Sequence, residues 1–186
     1  MYNNIFFYYF FFEKMDQSKF NKIIDENEEF IYKTYPGEEM MEPIIDIISR
    51  FLSEPYPIYT YRYFLNLWPD CTICCYDKKK DNKFIGVVVG NCETKKNNKK
   101  QGYIAMLAVE NEYRGKGIGK KLVTDLLKIF KDVYDVNECS IETEVDNIIA
   151  LNLYESLGFI RTKMFINYYL NGNNAYKLKL FEKDLN

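Results

Sequence analysis

The chain is 186 residues long, 47% hydrophobic and 28% charged, with a formal net charge of −2. These values fit one soluble globular domain with a sizeable core and give no overall basic footprint for nucleic acid. There is no histidine; this excludes Ser-His-Asp and Cys-His nucleophilic schemes, removes the commonest zinc ligand, and leaves a carboxylate, tyrosine, cysteine or lysine as any general base.

Residues 1–27 are compositionally odd and are expected to form a low-complexity, poorly ordered extension, leaving residues 28–186 as a single domain. Their apolar run Ile5 to Phe12 is too short to span a bilayer and lacks the flanks of a secretory signal. A partner-docking or membrane-touching segment is the alternative for it. Phe30 to Tyr35 reads as a first strand, ended by Pro36-Gly37. Met41, Ile44, Ile45, Ile48 and Leu52 recur at helical spacing, and the prolines at 55 and 57 close that helix with a stiff loop. Ile58 to Trp68 returns to helix with a stripe of Tyr61, Phe64, Leu65 and Trp68.

Cys71 to Tyr76 and Phe84 to Val89 are predicted strands joined by the turn DKKKDN, and residues 91–101 are predicted to be a basic loop. The five cysteines lack framework spacing, which suits a reducing compartment; Cys71 and Cys74 form a lone C-x-x-C on what reads as a strand, where small buried thiols are the better reading. Tyr103 to Val109 is a strand of small and apolar residues. Ile118, Leu122, Leu126, Ile129 and Val133 give the following helix its apolar face. A strand over Glu138 to Glu144, a helix over Asn147 to Leu157 capped by Gly158, and strands over Phe159 to Tyr169 and Ala175 to Leu180 complete the chain. This order predicts a mixed α/β domain of the α+β type, with a mainly antiparallel sheet of about seven strands and about four helices.

Between the strand ending at Val109 and the next helix lies Arg114-Gly115-Lys116-Gly117-Ile118-Gly119. Glycine lets backbone N–H groups turn toward a ligand, and a helix N-terminus adds unpaired donors and partial positive charge, so the turn suits a diphosphate. The glycine spacing matches neither a P-loop nor a dinucleotide fingerprint. Lys120 and Lys121 stand in the first helical turn, where the dipole disfavours cations unless an anion is bound. The plain alternative is a glycine-rich connection with solvated lysines.

The segment Arg114-x-x-Gly117-x-Gly119 after a strand resembles the acetyl-CoA motif of the GCN5-related N-acetyltransferases. Asn147, Ala150, Tyr154 and Gly158-Phe159 resemble that family's second motif. Further likeness at Ser53 to Tyr56, Tyr103 to Val109, Glu142 to Glu144 and Tyr168 to Asn171 is to the catalytic subunits of NatC-type N-terminal protein acetyltransferases, over about residues 28–181. The resemblance implies the acetyltransferase fold, acetyl-CoA as co-substrate without a metal, and transfer of acetyl to protein N-termini that begin with Met and a bulky apolar residue. It also implies auxiliary NatC subunits, a ribosomal setting, a cytoplasmic location, and no direct nucleic-acid or membrane partner. A lysine or small-amine acetyltransferase and a weakly active CoA-binding scaffold are the competing readings.

Period-two alternation puts Glu142 and Glu144 on one face of their strand, and family position makes Glu142 the expected base, with Glu144 second. By the same resemblance Tyr154 is the proton donor to the leaving thiolate, and Tyr103 holds the water or the amine. Leu107, Ala108 and Val109 are expected to meet the pantetheine arm, mainly by backbone, as an incoming strand would. Arg114, Gly115, Lys116, Gly117, Ile118, Gly119 and Lys120 are expected at the diphosphate, and Asn147 at the cofactor. Glu54, Pro55, Tyr56, Tyr168 and Tyr169 are the expected peptide site.

Overall fold

The computed structural model describes residues 16–52 and 56–181. The expectations for residues 1–15, and the peptide-site residues Glu54 and Pro55, lie outside the described residues. Among those described, the strands are β1 (Ile23–Glu26), β2 (Phe30–Thr34), β3 (Thr72–Asp77), β4 (Lys83–Thr94), β5 (Lys100–Val109), β6 (Glu138–Glu144), β7 (Ile160–Phe165) and β8 (Ala175–Phe181). The helices are α1 (Met41–Phe51), α2 (Ile58–Leu67), α3 (Ile118–Asp132) and α4 (Ile148–Glu155). All eight strands form one sheet in the order β1-β2-β3-β4-β5-β6-β8-β7. Every pairing is antiparallel except β5 with β6.

The sheet has a core on each face, because its central strands are buried on both sides. Against one face, α3 places Ile118, Leu122, Leu126 and Phe130, and α4 places Leu151 and Tyr154. Against the other, α1 places Met41, Ile44 and Ile48, and α2 places Tyr61 and Leu65. Phe130 is fully buried over a hollow formed by two glycines on neighbouring strands. A Cβ at Gly90 or at Gly102 would stand 3.0 or 2.7 Å from its ring. The cysteines at 71 and 74 fall in the two different cores and are free thiols, and burial pushes Cys74 up to about 12.

Three elements differ from expectation. The sheet gains β1, taken from a stretch expected to lie outside the domain: Ile23 to Glu26 pairs with β2, and Ile24 packs against the core. Lys121 fastens it, since its ammonium lies 2.5 Å from Asp25 as well as 2.5 and 2.7 Å from the Asp125 carboxylate. The β4–β5 hairpin extends through most of the expected loop, with register pairs out to Thr94–Lys100, because main-chain pairing tolerates polar side chains on an exposed tip. β7 stops at Phe165, short of the expected Tyr169, because Tyr168 and Tyr169 turn back and both donate backbone N–H to the Asn173 carbonyl.

Candidate active site

The site opens where the two parallel strands part. β5 and β6 pair only at Gln101–Glu138, Gly102–Cys139 and Tyr103–Ser140, although β5 continues to Val109 and β6 to Glu144. Beyond Tyr103, β5 stays with β4, where the register shifts at Val89/Gly90, and β6 stays with β8. The two strands diverge around a cleft of about 550 Å³. Ala105, Met106 and Leu107 line one wall, and Ile141 to Glu144 the other. Asn147, Ala150 and Tyr154 add the α4 side, and Tyr56, Tyr168 and Tyr169 come from loops.

All three expected catalytic residues, Tyr103, Glu142 and Tyr154, line this cleft. The Glu142 carboxylate accepts a 2.7 Å ion-paired hydrogen bond from Lys177, its direct cross-strand neighbour on β8. Burial drives the Tyr103 phenol far above its usual range, and the Glu142 charge and hydrogen bond drive it further. Tyr103 is therefore a donor and not a base at neutral pH. Tyr154 is also pushed well up, first by burial, so it keeps its proton and can act only as an acid. Its ring packs edge-on to Phe159 at 5.7 Å.

The glycine turn is built as its residue types require. Gly115 and Gly117 have φ of 76° and 80°, a left-handed conformation costly for any residue with a Cβ. Gly119 serves another purpose: a Cβ there would approach Leu153 to 3.2 Å, so it permits α3 to lie close to α4. The first helical bond of α3 runs from Lys121 N–H to the Gly117 carbonyl, which leaves the N–H groups of Ile118, Gly119 and Lys120 ahead of the helical ladder. A Cβ at Gly115 or Gly117 would meet nothing within 4 Å, so the turn faces open space at both glycines. These groups fit the phosphate end of CoA, and the unpaired side of β5 beyond Tyr103 fits an extended arm.

The structure qualifies several expected contacts. Ile118 and Ala108 have buried side chains on opposite faces of the sheet, so only their backbone can reach a ligand. The Val109 carbonyl already accepts from Arg114 Nε at 3.2 Å, and the Arg114 guanidinium stacks over Phe51 at 4.5 Å. Asn147 lines the cleft, but its side-chain oxygen caps α4 by accepting from Ala150 N–H at 3.1 Å. Lys116 lies over the Tyr113 ring at 5.2 Å, and Lys120 is exposed. The two lysines of the first turn do not act together, because Lys121 is committed to Asp25 and Asp125.

At the other end of the cleft, Tyr168 and Tyr169 meet edge-on at 5.1 Å, and Phe165 stacks on Tyr168 at 5.4 Å. Tyr56 leans edge-on against Tyr61 at 6.2 Å. Burial raises the Tyr169 phenol, helped by Tyr168 and Glu144. Sequence reasoning missed Lys177 and Arg50. Arg50 lines the cleft and binds Glu110, just past β5, through two bonds of 3.0 and 2.6 Å. Lys177 meets Glu142 35 positions away and Arg50 meets Glu110 60 positions away, so the spacing that Arg50 also has to Asp46 on its own helix does not reveal its place in the cleft.

Splayed parallel strands, an open glycine turn on a helix N-terminus, and a carboxylate and tyrosines between them define an acyl-CoA-dependent transferase. The model of the acetyltransferase (GNAT) family matches residues 41–159, and the chain belongs to that family. It is 47% identical over 157 residues to N-alpha-acetyltransferase 30 of Saccharomyces cerevisiae, covering 82% of this chain and 88% of that one. Identity to the human N-alpha-acetyltransferase 30 is 43%, covering 81% of this chain and 40% of the longer human protein. Among solved structures, the NatC complex bound to Gag peptide and CoA contains a chain that superposes with a TM-score of 0.79 at 46% identity, covering 82% of this chain and 98% of that one.

Proposed function

We infer that this chain is an acetyl-CoA-dependent N-terminal protein acetyltransferase of the NatC catalytic type. The observation that carries this reading is the meeting of Glu142 and Tyr154 with three further tyrosines in one cleft, in a chain that also has a CoA-compatible glycine turn. Acetyl-CoA supplies the thioester acyl group. Glu142 takes the proton that the α-amino group must lose as its nitrogen bonds to the acyl carbon, directly or through one water. Tyr103 orients that amine or water with its protonated hydroxyl. Tyr154 gives its proton to the departing sulfur. Tyr56, Tyr168 and Tyr169 hold the first residues of the peptide, and the aromatic walls favour Met followed by Leu, Ile or Phe. Auxiliary NatC subunits, nascent chains at the ribosome and a cytoplasmic location complete the proposal. Similarity to a chain of a NatC complex supports the partnership. Among the described residues, no helix is long and apolar enough to cross a membrane.

The test is acetylation of Met-Leu, Met-Glu and Ser-Ala peptides beside an N-terminally blocked peptide with an internal lysine. Met-Leu is expected to be modified fastest and the blocked peptide not at all. A free lysine amine, with a pKa of roughly 10.4 against roughly 7.7–8.0 for an α-amine, is far less often neutral. Equal modification of the blocked peptide rules out the N-terminal assignment. Replacing Tyr154 with Phe keeps the ring packed on Phe159 and removes only the proton donor. Turnover is expected to fall by about 10- to 100-fold, at or below the low end of general acid effects, since a thiolate leaves readily. Unchanged turnover in steady-state assays would assign the proton to another donor.

A further inference from the structure

We propose that Lys177 is a positioning residue for acetyl transfer, acting through Glu142 from a second cavity behind Tyr103. The inference rests on Glu142 being the base. The second cavity, about 160 Å³, is lined by Asn91, Gln101, Tyr103, Ser140 and Lys177, with Glu93 and Lys95 at its edge. Tyr103 lines both this cavity and the catalytic cleft and forms the wall between them. Lys177 belongs to the second cavity, yet its ammonium sits 2.7 Å from Glu142 Oε1, whose carboxylate belongs to the cleft. The Glu142 side chain is only 9% exposed, so its charge is balanced chiefly by this partner.

The geometry divides the carboxylate into two roles. Oε1 is engaged by Lys177, the Tyr103 phenol also bonds the carboxylate, and its remaining acceptor capacity would take the amine or its water. Lys177 carries two further N–H groups, and the cavity it lines offers a buried acceptor: Asn91 is 4% exposed and its Oδ1 has no protein partner among the described residues. The cavity is large enough to hold a water, which would bridge the two groups if it lay between them. Lys177 thus shares a cavity with polar groups of β4 and holds the base in front. Its register neighbour on β6 sets which carboxylate it holds: Glu142 faces Lys177, while Glu144 faces Ala175. This pairs Glu142, rather than Glu144, with the lysine.

Four proteins test this together: Lys177→Met, Lys177→Arg, Glu142→Gln and the Glu142→Gln/Lys177→Met double variant, each assayed for kcat, for KM of both substrates and for thermal stability. Lys177→Met is expected to lower kcat by about 10- to 100-fold with KM little changed, the scale of a misplaced catalytic group. Lys177→Arg is expected to restore most of that loss. The double variant is expected to fall no further than Glu142→Gln alone, because the two residues act as a unit. It also folds without an unpaired buried carboxylate, so a stability loss confined to Lys177→Met does not obscure the result. Retained kcat in Lys177→Met, or a double variant whose loss is the product of the two single losses, overturns the proposal while leaving Glu142 as base. Full turnover in Glu142→Gln overturns the base assignment itself.

Discussion

Glu142→Gln is expected to lower turnover on a Met-Leu peptide by about 100-fold while CoA binding persists, the lower end of the range for general base catalysis. The modest size follows from the substrate. An α-amine with a pKa of roughly 7.7–8.0 is already neutral to roughly a fifth to a third at pH 7.4, so the base is not needed to create the nucleophile. It is needed when the nitrogen bonds to the acyl carbon and becomes cationic, and Glu142 lines the cleft with a cross-strand lysine on its carboxylate, whereas Glu144 bonds the Asn173 amide at 3.3 Å and faces Ala175. Glutamine keeps the shape and can still accept from Lys177, so the fold should be retained. CoA affinity should hold because the glycine turn lies on the opposite strand's end, outside the lining of the cleft around Glu142. Steady-state kinetics with calorimetric titration of CoA separates the two effects. A variant with wild-type kcat, or one that loses CoA binding along with turnover, would each refute this assignment.

Phe130→Ala is expected to cost about 3–5 kcal/mol of stability, the range for deleting a fully buried phenylalanine. Its ring occupies the hollow that Gly90 and Gly102 leave on adjacent strands, and both sides of that hollow are sheet backbone. The Tyr103 carbonyl itself is 2.8 Å from where a Cβ on Gly90 would stand, so the strands have little freedom to collapse into the void. A loss of this size is a large share of a typical total of about 5–15 kcal/mol, and it should lower the melting temperature by roughly 6–20 °C for a chain of this length. Gly102 directly precedes Tyr103, the last residue of β5 paired with β6, so loosening the ring should also reduce activity below the melting point. Thermal and urea unfolding measure the first effect. A melting shift under about 3 °C would mean that the hollow closes and that β5 is not held by Phe130.

Much of the fold is legible residue by residue. β6 occupies the predicted Glu138–Glu144, and α1, α2 and α3 fall within a residue or two of their apolar periodicity, because each buries one face and its pattern says which. β1 escaped notice because only Ile24 of its four residues is even half-buried; its place depends on pairing with β2 and on the Asp25–Lys121 ion pair. The polar ends of β4 and β5 escaped for a related reason: their stability comes from main-chain bonds across a hairpin, which leave no trace in hydrophobicity. Within the site, residues whose task is set by backbone chemistry were readable. Gly115 and Gly117 need left-handed φ, whereas the capping of α4 by Asn147, a residue expected only at the cofactor, was not read. Lys177 was not readable, because a side-chain pair across strands requires the register first, and Arg50 was not, because its bond to Glu110 depends on how α1 packs beside the end of β5.

By itself, then, the sequence determined the chemistry available to this protein: no histidine, a glycine turn that opens a helix, and a strand with carboxylates at 142 and 144. It also determined the elements that carry them, since propensity and periodicity act over a few residues. Only the tertiary structure decided that β5 and β6 part after Tyr103–Ser140, that the cleft lies in that gap, and that Lys177 pairs with Glu142. The physical reason is that pairing between β5 and β6 spans α3 and depends on which backbone groups find partners elsewhere. β4 claims β5 and β8 claims β6, and the competition among distant strands opens the site.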